Sequence, residues 1–226
     1  VKREGEFHIF TQEQSLEHPA LDPTSVSDQF KSELVSWAAA RDLSRRLAGK
    51  IAEAGLRPDI IVAVARGGYV PARMLCDYLD IKDLSSIQIV HYTAGAEKKR
   101  QARLVESPAR DMEGMHVLLV DDVNDTGDTL ELARSHFAEA GVRSFRIAVL
   151  DHKSGSSLMP DFYARKVINW RWIIYPWAVY EDVNGFLGRM EKKPGSATEA
   201  RNMLKEHYGL EISEKLIKEI LAAQER

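Results

Sequence analysis

Residues 117–130, VLLVDDVNDTGDTL, run four aliphatic side chains straight into two adjacent carboxylates, Asp121 and Asp122, and then into Asp125, Thr126, Gly127, Asp128 and Thr129. Adjacent carboxylates accept hydrogen bonds from the vicinal hydroxyls of a sugar, or hold a hydrated Mg²⁺ shared with substrate phosphates. The second half offers the complementary chemistry. Gly127 lets the backbone approach a ligand closely, and the free N–H groups of a helix start, with the hydroxyls of Thr126 and Thr129, donate to phosphate. Hydroxyl acceptors at one end and phosphate donors at the other suit a sugar phosphate as a unit. A lone Asp-Thr-Gly is more often a polar turn and helix cap. The aliphatic run and acidic pair in front of this one make it far more specific.

A second stretch, VARGGYVPARML at 64–75, sets Arg66 beside Gly67 and Gly68. Paired glycines let several backbone N–H groups converge, and the guanidinium adds a fixed positive fork for phosphate oxygens. Lys98, Lys99, Arg100 and Arg103 cluster within residues 93–114, a segment that follows neither helical nor strand periodicity. Unstructured connections of that length are usually functional or mobile. Lys153, in LDHKSG, bears an ammonium that donates hydrogen bonds and accepts none, which suits a carbonyl better than an amino group. The run NWRWIIYPWAVYED, 169–182, supplies flat rings able to stack on a planar ligand.

These groups meet only if the chain folds as alternating strands and helices. DIIVAVA (59–65), SSIQIVHY (85–92), MHVLLVD (115–121) and SFRIAVLD (144–151) read as strands. The unbroken apolar run of DIIVAVA suits a strand buried on both faces of a parallel sheet. Apolar positions at three- and four-residue steps predict helices from Phe30 to Ala54, closed by Gly55, from Tyr69 to Leu79, and from Gly127 to Ala140. The expected fold class is therefore α/β, a mostly parallel twisted sheet flanked by helices. Ligands bind such sheets beyond the carboxyl ends of the strands, where Arg66 to Gly68 and Asp121 to Thr129 fall. Residues 1–29 read as an N-terminal arm, 30–188 as the core and 189–226 as a C-terminal extension. The extension divides at Gly209 into two amphipathic helices, with Ser213 as the N-cap of the second.

The 226 residues, 44% hydrophobic, suffice for one domain with an appendage. Lysine plus arginine total 31 against 34 acidic residues, a net charge of −3, so no global field draws nucleic acid or an anionic membrane and phosphate recognition must be local. The nearly balanced extension likewise argues against DNA binding. Cys76 is the single cysteine, which excludes an intramolecular disulfide, and it reads as a small apolar helix residue. No stretch approaches the ~20 apolar residues that span a bilayer, and the expected location is the cytoplasm. Neither a GxxxxGK[ST] loop nor a GxGxxG fingerprint is present, which disfavours other nucleotide-binding machinery.

Residues 117–129 resemble the 5-phosphoribosyl 1-pyrophosphate (PRPP) signature of type I phosphoribosyltransferases. That resemblance implies a Rossmann-like core with a small hood over the base site. It assigns Asp121 and Asp122 to the ribose and, through water, to Mg²⁺, and Asp125, Thr126, Gly127, Asp128 and Thr129 to the 5′-phosphate. It makes 64–75 the pyrophosphate loop, with Arg66, Gly67 and Gly68 as ligands and a non-proline cis peptide between Ala65 and Arg66. Residues 93–114 correspond to the mobile catalytic loop, with His91 and Tyr92 at its entrance. Lys153 stands where 6-oxopurine enzymes resemble one another in carrying a lysine. WIIYPW is similar to the W-I-x-x-P-W pattern of bacterial xanthine-guanine phosphoribosyltransferases, which makes Trp172 the stacking ring and Ile173 a backbone contact to the base edge, and leaves Trp170 and Trp177 to the core. The pattern departs at Ala178, where those enzymes carry Asp; acids resume at Glu181 and Asp182.

The implied activity is purine salvage: hypoxanthine, guanine or xanthine plus PRPP gives the nucleoside 5′-monophosphate and pyrophosphate. Asp121 and Asp122 stabilise the charge that develops on the ribose, and Asp125 handles the proton near purine N7. Mg²⁺ is the implied cofactor and a homo-oligomer the implied assembly. Two alternatives stand beside it: a non-catalytic regulator of the same fold that binds PRPP or a nucleotide, and a phosphoribosyltransferase for another base.

Overall fold

The computed structural model describes residues 30–93 and 100–224. The expected arm (1–29), Lys98, Lys99 and the side chains of Tyr92 and Arg100 lie outside what it describes.

Six strands form the main sheet: β2 (Ile60–Ala65), β3 (Leu84–Thr93), β4 (Arg100–Glu106), β5 (His116–Asn124), β6 (Ser144–Lys153) and β7 (Phe162–Val167), in the order β4-β3-β2-β5-β6-β7. All pairings are parallel except β3 with β4. Successive residues of a strand face opposite ways, and the central strands are apolar at every step, so each builds two cores at once. Ile61, Ala63, Leu118 and Val120 pack beneath α1 (Trp37–Glu53) and α2 (Tyr69–Leu79), meeting Leu43, Leu47, Ile51 and Leu75. Ile60, Val62, Val64, Val117 and Leu119 pack on the opposite face against Leu130, Ala133 and Phe137 of α3 (Asp128–Glu139). Helices on both faces of a mostly parallel sheet match the expected class.

Three differences from the sequence reading stand out. The first helix begins at Trp37, because Ser36 caps it, its hydroxyl accepting from the Ala39 N–H at 3.1 Å. Residues ahead of that cap form β1 (Ser32–Leu34), parallel to β8 (Trp172–Ile174) in a separate two-stranded sheet. Second, the segment 93–114 is not a structureless loop, since β4 pairs antiparallel with β3. Ala102 and Leu104 turn inward while Arg103 and Val105 face solvent, a polar edge strand whose alternation is masked by its charges. Third, β7 was not anticipated; FYARKV mixes charge with its apolar residues.

Beyond the sheet, α4 (Val179–Arg189), α5 (Ala197–Tyr208) and α6 (Glu214–Gln224) share a third core with β8, built from Trp172, Ile174, Phe186, Leu204, Tyr208, Ile217 and Ile220. Gly209 closes α5 and the Ser213 hydroxyl accepts from the Leu216 N–H at 3.2 Å, as read from the sequence. No helix among the described residues is long and apolar enough to cross a membrane.

Candidate active site

The chain leaves β2 toward β3 on one side and leaves β5 toward β6 on the other, so the neighbouring carboxyl ends of β2 and β5 form the topological switch point where open α/β sheets bind ligands. A cavity of about 530 Å³ opens there. Arg66 and Gly67 line it from β2, Asp121 to Leu130 from β5 and its loop, His91 from β3, Lys153 from β6, and Trp172, Ile173, Tyr175 and Trp177 from the hood.

On the β2 side the Ala65–Arg66 peptide is cis, as the resemblance implied. The loop then passes so close to β5 that a Cβ at Gly67 would lie 2.3 Å from Asp122 Oδ2. Gly68 does not line the cavity; its Cα faces the backbone, where a Cβ would meet the Val120 carbonyl oxygen at 2.4 Å. Arg66 reaches across the mouth to pair with Glu181 of α4.

On the β5 side Asp121 Oδ1 accepts from the Asp122 N–H at 2.8 Å, and Asp122 Oδ2 accepts from Trp177 Nε1–H at 3.1 Å. Burial and mutual repulsion raise Asp121 well above the usual carboxylate range, and burial raises Asp122. The turn that follows needs its glycine: Gly127 has φ of 103°, and a Cβ there would meet Ser157 Oγ at 2.8 Å. It opens α3, whose first residues Asp128 to Leu130 line the cavity with it. Thr126 Oγ1 donates to Asp128 Oδ2 at 3.0 Å, and Thr129 Oγ1 lies 2.9 Å from His91 Nε2.

The remaining wall brings distant residues together. Lys153 Nζ donates to Asp125 Oδ2 at 2.8 Å, its side chain only 5% exposed. Burial lowers its pKa, opposed by the Asp125 carboxylate. Trp172 is 7% exposed and donates its indole N–H to Asp182 Oδ1 at 3.0 Å. Arg103 points to solvent from β4, away from the lining residues.

Sequence reasoning missed the support beneath these groups. Asp151, fully buried, binds Arg165 through both carboxylate oxygens, at 2.5 and 3.1 Å. The Tyr175 hydroxyl lies 2.6 Å from Asp151 Oδ2 and 2.8 Å from the Asp122 carbonyl oxygen, its one proton serving both acceptors. Tyr175 stacks on Trp177, with ring centroids 4.8 Å apart, so the hood grips Asp122 by carbonyl and carboxylate together. The available signal was an aspartate following the apolar run IAVL of SFRIAVLD, since a buried carboxylate needs hydrogen-bond or charge partners. Trp177 is partly buried against the core, as expected, but also lines the cavity. Trp170 departs from its expected core position: it is 42% exposed, and its Nε1–H donates to Asp125 Oδ1 at 3.2 Å.

The cis-entered glycine loop, the acidic strand end and the glycine-opened α3 turn face one another across a switch point. The chain belongs to the phosphoribosyl transferase domain family, whose profile matches residues 31–183. Among its relatives, a xanthine-guanine phosphoribosyltransferase of Ruegeria sp. is 33% identical over 153 residues, covering 63% of this chain and 83% of that one. The crystal structure of a purine phosphoribosyltransferase from Pyrococcus horikoshii aligns with a TM-score of 0.57 and 32% identity, over 65% of this chain and 93% of that one. A hypothetical protein from Neisseria gonorrhoeae with bound ppGpp aligns with a TM-score of 0.60 and 27% identity, over 66% and 89%.

Proposed function

We propose that the protein is a Mg²⁺-dependent 6-oxopurine phosphoribosyltransferase, converting hypoxanthine, guanine or xanthine and PRPP to the nucleoside 5′-monophosphate and pyrophosphate. The observation that carries this reading is the Lys153–Asp125 pair, set on the same cavity wall system as the acidic pair and Trp172. Lys153 donates to an oxygen at purine position 6, where a 6-amino group would oppose donor to donor. Relatives named as xanthine-guanine enzymes support the same choice of acceptor.

The pyrophosphate lies on the Arg66–Gly67 loop, the 5′-phosphate on the turn of Asp125 to Thr129, and the ribose over Asp121 and Asp122. A purine nitrogen attacks the anomeric carbon as its bond to the pyrophosphate oxygen breaks. The positive charge that grows on the ribose ring is stabilised by the buried acidic pair, and the charge on the leaving group by Arg66 and the loop N–H groups. Asp125 accepts the proton near N7. Mg²⁺ fits the donor set. Asp121 and Asp122 would hold it through water, their carboxylates being on the cavity wall. When bound, it supplies positive charge beside the phosphate oxygens.

The test is an endpoint assay with Mg²⁺, PRPP and each of hypoxanthine, guanine, xanthine, adenine, orotate and uracil, reading nucleotide and pyrophosphate together. Product with 6-oxopurines alone is expected. Product with adenine or a pyrimidine would keep the reaction and discard the base site. PRPP binding without turnover on any base would favour the regulator.

A further inference from the structure

Asp125 and Lys153 have roles in the proposed reaction, but the indole packed against both has none. Resting on the 6-oxopurine reading, we propose that Trp170 is a positioning residue: it braces the Asp125–Lys153 pair from outside the cavity and so fixes the donor and acceptor pattern presented to the base.

Three contacts converge on this ring. Its Nε1–H donates to Asp125 Oδ1 at 3.2 Å, while Lys153 Nζ donates to Asp125 Oδ2 at 2.8 Å, so each carboxylate oxygen has its own donor and the plane of the group is set. The same ammonium stands 4.5 Å from the centroid of the indole, within cation–π range. Asp125 and Lys153 line the cavity and Trp170 does not, which places the ring behind the pair rather than in the base's place. The ring is itself held, edge-on to Phe30 at 5.9 Å, and the next residue, Arg171, is tied to Glu33 at 3.2 Å. A lysine has four side-chain torsions to lose, and a carboxylate with one free oxygen can swing. The indole removes both freedoms before a base arrives, which is how preorganised polar groups gain in the transition state.

The experiment compares wild type, W170F and W170L by steady-state kinetics with hypoxanthine and adenine, together with calorimetric binding of PRPP. In W170F, which keeps the ring face and loses the N–H, kcat with hypoxanthine should fall roughly tenfold, the worth of one hydrogen bond to a charged group. Its KM and Kd for PRPP should change far less than kcat, since Thr126 to Thr129 of the phosphate turn do not touch the ring; this also reports an intact fold. W170L, without the ring face, should in addition raise KM for hypoxanthine and narrow the preference over adenine. An active wild type with unaltered constants in both variants overturns the proposal alone, as does PRPP affinity that falls in step with kcat. A wild type that turns over no 6-oxopurine overturns the reading beneath it.

Discussion

Asp182 shows how far a single side chain can depend on its surroundings. Its carboxyl is 4% exposed and pushed up to about 7 from 3.8, by burial first and by the charges of Glu181 and Asp122, against the Trp172 N–H and Arg189. The folded state therefore holds this proton more tightly than the unfolded chain. The contribution to stability is fully present below pH 3.8 and is lost as pH rises through about 7. Asp182→Asn keeps an oxygen for the indole N–H and cannot ionise. In urea melts its stability relative to wild type should improve by about 1 kcal/mol per pH unit across that window. A difference that stays flat from pH 4 to 7 would show that Asp182 does not hold the proton. This character of Asp182 was not legible in the sequence, because it comes from burial in the folded state. Asp121 to Thr129 were legible because the whole chemical unit is contiguous. Asp151 and Tyr175, whose hydrogen bond ties β6 to the segment just after β8, were not.

At the level of elements, β2, β3, β5 and β6 and the helices α1, α2, α3, α5 and α6 were read from the sequence, most of their ends to within a few residues, whereas β1, β8 and α4 were not. β4 and β7 were missed for one physical reason: both carry charges that obscure alternation, and both lie at the edges of the sheet. The start of α3 gives a sharper test of how sequence positions an element. Gly127 combines a φ of 103° with a would-be Cβ only 2.8 Å from Ser157 Oγ and 2.9 Å from the Leu158 nitrogen. Gly127→Ala should therefore cost about 1–3 kcal/mol of stability and weaken PRPP binding, because the loop that presents its N–H groups must shift. Gly49, inside α1, has nothing within 4 Å of its would-be Cβ. Gly49→Ala should stabilise the protein by roughly 0.5–1 kcal/mol through helix propensity. Thermal melts of the pair, read with PRPP titrations, check both; equal effects would mean that neither backbone geometry nor close approach distinguishes the two glycines.

Across the whole molecule, the stretch beyond the family profile shares a core with Trp172 on the cavity wall rather than with the Arg66 loop or the α3 turn. Trp172 on the cavity wall meets Phe186 at 5.9 Å, and Phe186 stacks on Tyr208 of α5 at 4.5 Å, within the core that Leu204, Ile217 and Ile220 complete. The loops proposed to hold the phosphates rest instead on β2, β5 and α3, within the two cores on either face of the main sheet. Loosening the third core should thus reach the base before it reaches PRPP. Leu204→Ala, at a fully buried position, should cost about 2–5 kcal/mol and raise KM for hypoxanthine more than KM for PRPP. Leu47→Ala, equally buried beneath the sheet on α1, removes a side chain of the same size from another core. That core underlies both sides of the cavity, Ile61 and Val120 on one and Ile173 and Tyr175 on the other, so the variant should lower the melting temperature comparably and leave the ratio of the two KM values where it was. If both variants shift that ratio alike, the C-terminal helices contribute only general stability; if Leu204→Ala alone shifts it, they act as the back wall of the base site.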